Sequence, residues 1–155
     1  MEQKNDRISR WISALHRYKK GYANKRLEPY GLGGGRFVFL FSLRRHSGAS
    51  QEELSDYLKI DKTTTAKALK KLEGDGYVTR IRDARDKRVF HVSLTRKAAE
   101  TLPVVEEIIG KWESFVTSGI TGEELAQLES TLKKMADKAQ EVSKEDQAEK
   151  KSAEG

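Results

Sequence analysis

The chain has 155 residues and a basic balance, with 30 Lys or Arg against 24 Asp or Glu and a formal net charge of +6. This length favours one domain that buries a real core. Charged residues make up 35% of the chain, above the roughly 25% of an average globular domain, and long helices with solvated faces would explain the excess. A basic balance suits a polyanionic partner but does not bear on the fold.

Several classes of protein are excluded by what the chain lacks. Without cysteine it has no disulfides, thiolate catalysis, cysteine redox sensing or zinc–thiolate sites. The longest apolar run, Phe37–Phe41, is five residues long, far short of the roughly 20 that a membrane span needs. The segment MEQKNDRISRW is too polar for a signal peptide. We therefore expect a soluble, cytoplasmic protein that does not associate with membranes.

Two helical patterns separated by a turn open the chain. Residues 7–28 repeat apolar side chains at helical spacing, and Pro29 with the glycines after it ends this helix. The run Phe37–Phe41 has the propensity of a strand. Its position between two helical patterns nevertheless favours a short buried helix over residues 36–46.

Two capped helices follow at close spacing. Ser50 with Glu53 three residues later forms a capping box that begins the first helix. After a short turn, Asp61 can cap a second helix over residues 62–75, which Gly76 ends. A helix, a three-residue turn and a second helix give the spacing of a helix-turn-helix.

A basic hairpin comes directly after these helices. Two β-rich runs, Tyr77–Ile81 and Val89–Leu94, flank a tip with the sequence RDKR. Residues 59–97 hold twelve Lys or Arg and five acids, so their excess of seven positive charges exceeds that of the whole chain. This concentration favours a binding surface over charges that are merely solvated. A basic hairpin behind a basic helix predicts a winged helix-turn-helix, with its helix in the major groove of DNA and its hairpin in a minor groove.

A long helix is expected after the hairpin. Thr95 is placed to cap this helix, which we predict over residues 96–118. Pro103 lies inside the pattern and predicts one of two outcomes. It either kinks the helix, or it marks an interruption with a new helix beginning at the proline.

The end of the chain changes in composition. Thr121 with Glu124 forms another capping box, and the helix that it begins is expected to run to about Ala139. Residues 141–155 are charged and nearly free of large apolar side chains, so we expect a disordered tail there.

These elements predict a mainly α fold with a small β-hairpin (α+β). A winged helix-turn-helix lobe would occupy about residues 36–95, and helices at about 7–28 and 96–140 would form a dimerisation region. We expect a single domain over residues 1–140, followed by the tail at 141–155. The terminal helices could pack on each other as a compact bundle or against a second copy. The dimer is favoured because duplex readers commonly match a two-fold axis to two half-sites.

Two motifs resemble those of the MarR family of winged-helix transcriptional regulators. The wing carries Asp-x-Arg, five further residues and Leu-Thr, which here are Asp86, Arg88 and Leu94–Thr95. The segment KALKKLEGDGYVTR at 67–80 is similar to the end of the family's recognition helix. The resemblance covers about residues 7–140. It implies a homodimer with intertwined terminal helices that binds a pseudo-palindromic operator.

The resemblance also implies how such a protein is regulated. Many members of the family are released from DNA by small anionic aromatic ligands, and some are released by cysteine oxidation. The second mode is excluded because this chain has no cysteine.

Candidate DNA contacts on the helices have alternative roles. Thr63 and Thr64 could touch bases or phosphates, or they could only cap and solvate the helix. Lys67 stands where the family usually has arginine, so the bidentate fork that reads guanine is lost there. Ser50 and Gln51 could donate to phosphate at a helix N-terminus, or they could serve only as a cap.

In the wing, the resemblance implies that Asp86 braces Arg88 for a narrow minor groove. Arg85 and Lys87 at the tip could reach into the groove instead of Arg88. A solvated turn with a local salt bridge is the other alternative. The full set of predicted DNA contacts is Ser50, Gln51, Lys62, Thr63, Thr64, Lys67, Lys70, Lys71, Arg85, Asp86, Lys87 and Arg88.

The resemblance further implies an effector pocket between the dimer helices and the winged lobe. The matching elements offer His16, Tyr18, Tyr30, Arg36 and Phe37. An arginine near aromatic rings can hold an aromatic carboxylate, although the same residues could simply form core and rim. The three histidines lie in separate elements without ligand spacing, so we expect no metal site and no cofactor.

The sequence thus predicts a sequence-specific regulator that binds double-stranded DNA as a homodimer, acts as a repressor and responds to a small aromatic acid. The alternative is a winged-helix protein-interaction module without nucleic-acid binding, against which the basic region at 59–97 counts. An enzyme is not expected, because no paired carboxylates, metal-ligand spacing or nucleophile–base set stands out. The aromatic platform typical of single-strand RNA binding is not evident either.

Overall fold

The computed structural model describes residues 7–153, and helices dominate it. In chain order the elements are α1 (Arg7–Leu27), a 3₁₀ turn (Glu28–Tyr30), α2 (Phe37–Arg45), α3 (Gln51–Leu58), α4 (Lys62–Gly74), β1 (Val78–Arg82), β2 (Phe90–Leu94), α5 (Arg96–Val116) and α6 (Gly122–Ala153). The prediction of a mainly α fold with one small hairpin is confirmed. Residues 1–6 of the predicted domain, including part of the segment judged too polar for a signal peptide, and residues 154–155 of the predicted tail lie outside the described residues.

The chain divides into two compact units after Ser114. The first unit runs from α1 into α5, and the second holds the end of α5 and all of α6. None of the helices within residues 7–153 combines the length and the apolar character that a membrane span requires.

One hydrophobic core fills the first unit. Helix α2 contributes Phe37, Phe39 and Leu40, so the run FVFLF is a buried helix and not a strand. The remaining core residues come from α1, α3, α4 and α5, from the inner side of the hairpin, and from the loops at Leu32, Ala49 and Tyr77. The fully buried side chains include Leu27, Leu32, Leu43, Leu54, Leu69, Leu72, Val78, Val92 and Val105.

The two strands form an antiparallel hairpin that is joined to the loop before α3. The pairing runs from Val78 opposite Leu94 to Arg82 opposite Phe90. The loop adds a short third pairing, in which the Gly48 amide donates to the Val92 carbonyl (3.1 Å). The Val92 amide in turn donates to the carbonyl of Ala49 (2.9 Å). The base of the wing is therefore fixed to the helix-turn-helix by backbone hydrogen bonds.

The predicted caps of the helix-turn-helix are present. Ser50 and Glu53 form the capping box, with the Glu53 amide 3.1 Å from the Ser50 hydroxyl and the Ser50 amide 2.7 Å from the Glu53 carboxylate. The Thr64 amide donates to the Asp61 carboxylate over 2.8 Å at the start of α4. Gly76 ends this region with a left-handed φ of 78°, which a glycine adopts without strain.

Helix α5 continues across Pro103, so the alternative of an interruption is wrong. Proline cannot donate a hydrogen bond to the carbonyl of Ala99 four residues earlier. Both residues are exposed, and water can take the place of the missing donor. Thr95 caps the helix as predicted, since its hydroxyl accepts from the Ala98 amide at 3.3 Å.

Helix α6 is longer than predicted. Thr121 and Glu124 form the expected capping box, but the helix continues past Ala139 to Ala153. The expectation of disorder over 141–153 therefore differs from the structure. The segment is rich in Gln, Glu, Lys and Ala, which cannot build a core but have high helix propensity. Pairs such as Lys138–Glu141, at 2.8 Å, support the helix along its exposed surface.

Candidate nucleic-acid interface

Helix α4 presents a polar line opposite its buried face. Leu69 and Leu72 point into the core and are fully buried. Thr63, Lys67 and Lys70 are exposed, and their spacings of four and three residues place them on one line of the helix. This line is the part of α4 that can enter a groove of DNA without disturbing the core.

Two other lysines predicted to contact DNA already have acidic neighbours. Lys62 lies 2.5 Å from Glu52 of α3, and this hydrogen bond raises the pKa of Lys62 and lowers the pKa of Glu52. Lys71 lies 3.1 Å from Asp75. The side chains of Lys62 and Lys71 are well exposed, so these surface pairs are weak and water competes with them. The two lysines therefore form a less strongly positive flank than the line of Lys67 and Lys70.

The two threonines at the start of α4 have different surroundings. The hydroxyl of Thr64 donates to the Asp61 carboxylate over 2.6 Å, and this bond is the main reason that the pKa of Asp61 is lowered. Thr64 thus fits the capping role that was the alternative to DNA contact. Thr63 is exposed on the polar line, which leaves it as the better candidate for contact with a base.

The wing tip holds the expected pairing of Asp86 with Arg88. The Arg88 Nε lies 3.1 Å from one Asp86 carboxylate oxygen, and the Nη2 lies 3.2 Å from the other. The Arg88 amide donates to the same carboxylate over 3.0 Å. The hydrogen bond from the Arg88 guanidinium has the larger effect and that from the Arg88 amide the smaller one, and both lower the pKa of Asp86. The Arg88 side chain is 90% exposed, so the carboxylate orients a cation that faces solvent.

A second aspartate, which the sequence prediction missed, shapes the turn of the wing. One oxygen of Asp83 accepts from the Arg85 amide at 2.7 Å and from the Asp86 amide at 2.9 Å. The other oxygen lies 3.0 Å from Nε2 of His91. The Asp86 amide, the His91 ring and the Arg85 amide lower the pKa of Asp83 to about 2. Aspartate side chains in turns commonly accept from the backbone amide two residues further on, and this tendency could have identified Asp83.

Two arginines counted in the basic region hold the wing together. Arg80 forms two hydrogen bonds to Glu73 of α4, at 2.9 and 2.7 Å. The guanidinium carbons of Arg80 and Arg82 lie 5.4 and 5.1 Å from the centre of the Phe90 ring. Arg80 therefore ties β1 to α4, and its charge is partly compensated there.

The start of α3 and the wing enclose a small cleft. Ser50, Gln51, Lys62 and Arg88 all line it, and its volume is about 140 Å³. Four of the predicted contacts are thus brought together. The hydroxyl of Ser50 is engaged in the capping box, which supports the capping alternative for this residue.

The predicted effector residues are only partly brought together. His16 and Phe37 line a groove of about 280 Å³ between α1 and α2, together with Lys19 and Lys20. Tyr18 does not line this groove. It follows His16 by two positions, which places it on another side of α1, where it is 71% exposed.

Tyr30 and Arg36 do not line this groove either. The Nε of Arg36 donates to the Gly31 carbonyl over 2.9 Å, and the Tyr30 carbonyl accepts from the Tyr77 hydroxyl at 2.5 Å. Both residues therefore stabilise the turn between α1 and α2. Within residues 7–153, no group of three or more His, Asp or Glu side chains is arranged to hold a metal ion.

Comparisons with known proteins agree on one family. The family model described as "MarR family" matches residues 35–90. The HTH-type transcriptional regulator BilQ of Clostridioides difficile (strain CD3) is 29% identical over 81% of this chain and 84% of its own length. A structure described as a MarR family transcriptional regulator from Listeria monocytogenes, solved with a 26mer DNA, is 26% identical with a TM-score of 0.79. It covers 86% of this chain and 89% of its own.

A further solved structure is more similar in sequence. A MarR transcriptional regulator from Methanosarcina mazei Go1 superposes with a TM-score of 0.76 and is 41% identical, covering 87% of this chain and 97% of its own. These relatives are regulators of transcription and not enzymes. The chain therefore belongs to the MarR family of winged-helix transcriptional regulators.

Proposed function

We propose that this protein regulates transcription by binding double-stranded DNA in a sequence-specific way. The observation that carries this proposal is the exposed line of Thr63, Lys67 and Lys70, which shares one lobe with a wing that holds Arg88 toward solvent. The Listeria relative, which has the same fold and was solved with DNA, supports it.

Each element would have its own part in binding. The polar line of α4 would enter the major groove, where a lysine donates to the acceptor atoms of guanine or to a phosphate. Arg88, oriented by Asp86, would enter the minor groove, whose negative potential is strongest where the groove is narrow. Arg85 and Lys87 would contact the phosphates beside it.

We also propose that the protein binds as a homodimer and represses transcription. The N-terminal part of α1 exposes an apolar face, formed by Ile8, Trp11, Ile12, Leu15 and Tyr18. A second copy that covers these residues would present two winged lobes to two half-sites of a pseudo-palindromic operator, about one or more helical turns apart. A dimer held on such an operator would block access to a promoter.

An aromatic acid would act through the groove of His16 and Phe37. The ring of a benzoate-sized ligand would pack on Phe37, and Lys20 would attract its carboxylate. Benzoate should therefore weaken DNA binding in the wild type and have less effect in a Phe37→Ala variant. Equal effects on both proteins would remove this groove from the proposal.

The wing provides the main test of DNA binding. The operator is first selected from a pool of random duplexes, and its affinity is then measured at several salt concentrations. Replacing Arg85, Lys87 and Arg88 with alanine should weaken binding roughly tenfold or more, since charged hydrogen bonds are lost. The slope of log affinity against log salt should fall by about 0.9 for each phosphate contact removed.

A matched control separates contact from bulk charge. Replacing Lys133, Lys134 and Lys138 of α6 with alanine also removes three positive charges but leaves the wing intact. This control should bind nearly as the wild type does. If both triple variants lost equal affinity, the wing would have no special role. If the wild type retained no duplex at low salt, DNA binding itself would be refuted, in favour of a protein-interaction module.

A further inference from the structure

The ring of His91 lies between two hydrogen-bond acceptors from different parts of the lobe. Its Nδ1 is 3.0 Å from the carbonyl oxygen of Gly48, in the loop before α3. Its Nε2 is 3.0 Å from a carboxylate oxygen of Asp83, in the wing. The backbone of His91 also forms a β-bridge to Ser50, the first cap of the helix-turn-helix. The ring therefore connects the wing to the loop that leads into α3.

The chemistry of the two acceptors decides which form of the ring fits. A neutral imidazole has one N–H and can donate to only one of them, whereas the imidazolium donates to both. A neutral ring would place a nitrogen lone pair against an oxygen of either Gly48 or Asp83. The Asp83 carboxylate stays ionised at any ordinary pH, because its pKa is about 2. The two contacts are complete only when His91 carries a proton on each nitrogen.

The same carboxylate connects the ring to the tip of the wing. Its second oxygen accepts from the amides of Arg85 and Asp86, and Asp86 in turn orients Arg88. We propose that His91 is a positioning residue for DNA binding, and that its imidazolium form fixes the wing tip relative to the helix-turn-helix. DNA affinity should then decrease as His91 loses its proton. This inference rests on the proposed function.

The charged and polar groups around the ring all favour the protonated form. Asp83 faces it from the wing, the Gly48 carbonyl from the loop before α3, and Glu53 from α3. The hydrogen bond to Asp83, followed by that to Gly48, raises the pKa of His91 above its usual value. Because the pKa of His91 is raised in the folded protein, the stabilising contribution of the protonated ring is complete below about pH 6.5. It is lost as the pH rises through the raised pKa.

Two variants and a control histidine test the inference. His91→Gln removes the titration but keeps a polar side chain. Asp83→Asn keeps an oxygen for the amides of Arg85 and Asp86 and offers an N–H to Nε2, so it favours the neutral ring. His46→Gln is the matched control, because the His46 ring stacks on Tyr57 at 4.2 Å and not on the wing. Circular dichroism establishes that each variant is folded.

Affinity for the selected duplex is measured at about pH 6 and at about pH 8.5, on either side of the histidine titration. The wild type and His46→Gln should lose about fivefold in affinity across this range, the effect of one net hydrogen bond. His91→Gln and Asp83→Asn should lose much less. Equal pH profiles in all four proteins would overturn the inference while leaving the proposed function standing.

A titration of the protein without DNA distinguishes a failure of this inference from a failure of the proposed function. The nitrogen and carbon NMR signals of His91 should give a pKa above that of a model histidine, and Asp83→Asn should lower it. A His91 that titrates at the model value, unmoved by Asp83→Asn, would overturn the inference without any DNA present. The raised pKa could be found while the wild type bound no duplex at either pH. His91 would then still join the wing to the loop before α3, but its role in DNA binding would be refuted.

Discussion

The winged lobe and the N-terminal half of α1 use apolar side chains in opposite ways. In the lobe, Leu69, Leu72 and Val92 are fully buried. On α1, Trp11 is 60% exposed and Leu15 is 55% exposed, although their spacing is just as regular. Helical periodicity thus identifies an apolar face but does not say what covers it. The lobe buries most of its apolar side chains, with Tyr57 and Ile81 as exposed exceptions, whereas α1 presents a whole apolar face that a single chain leaves open.

The C-terminal half of α1 explains how the helix is held. Ala23 and Leu27 are buried in the core of the first unit. The ring of Tyr22 lies 5.3 Å from that of Trp112 on α5. These contacts fix the end of α1 on the subunit, so the exposed face near its start is presented by an anchored helix. Such a face is a suitable surface for a second copy.

The largest expected effect comes from opening the core of the lobe. Leu72→Ala should lower the free energy of unfolding by about 2–5 kcal/mol, since it removes a fully buried side chain and leaves a cavity. Urea unfolding at low protein concentration measures it. Leu15→Ala is the matched change on α1 and should cost well under half as much. Equal losses would mean that α1 is covered within one subunit, and the contrast would fail.

Substitutions on α1 should change stability less than Leu72→Ala does, but they should change the oligomeric state. Changing Trp11 and Leu15 together to glutamate should convert the proposed dimer into a monomer, because charge is placed on the apolar face. Sedimentation velocity would measure the change in mass. Arg17→Glu, an exposed change on another side of the same helix, should leave the dimer intact. If the double variant remained dimeric, α1 would not form the interface.

The smallest expected effect concerns the polar line of α4. Lys67→Ala should reduce the preference for the selected operator over single-base variants by roughly fivefold, near the low end for a base contact, since lysine lacks the bidentate fork. Binding to an array of operator variants measures it. Lys71→Ala, whose lysine is paired with Asp75, should change that preference less. A uniform loss of affinity over all variants would reassign Lys67 to a phosphate.

The local signals in the sequence predicted where most helices begin. Ser50, Asp61, Thr95 and Thr121 each cap a helix through a side chain that accepts a backbone amide, and this chemistry is readable from neighbouring residues. The recognition helix was predictable for the same reason, since Asp61 caps it. In the wing, the Asp86–Arg88 pair was expected from the family resemblance, whereas Asp83, which shapes the turn, was missed.

Features that depend on distant partners were not predictable in this way. The contact of His91 with Gly48 joins residues 43 positions apart, and nothing in the local sequence indicates it. The effector residues were grouped by element, but the direction of each side chain separates Tyr18 and Arg36 from the groove. The length of α6 was missed because a lack of apolar residues argues against a core and not against a helix.

Thr95 has a consequence for how the wing can vary. Its hydroxyl donates to the Gly76 carbonyl over 2.6 Å, and its amide donates to the Tyr77 carbonyl over 3.0 Å. The chain therefore leaves α4 and reaches α5 at nearly the same point. The two ends of the hairpin are held together by these hydrogen bonds. Lengthening a loop with fixed ends costs little entropy. Hairpins of other lengths could be grafted here, with Val92 retained, without moving either helix.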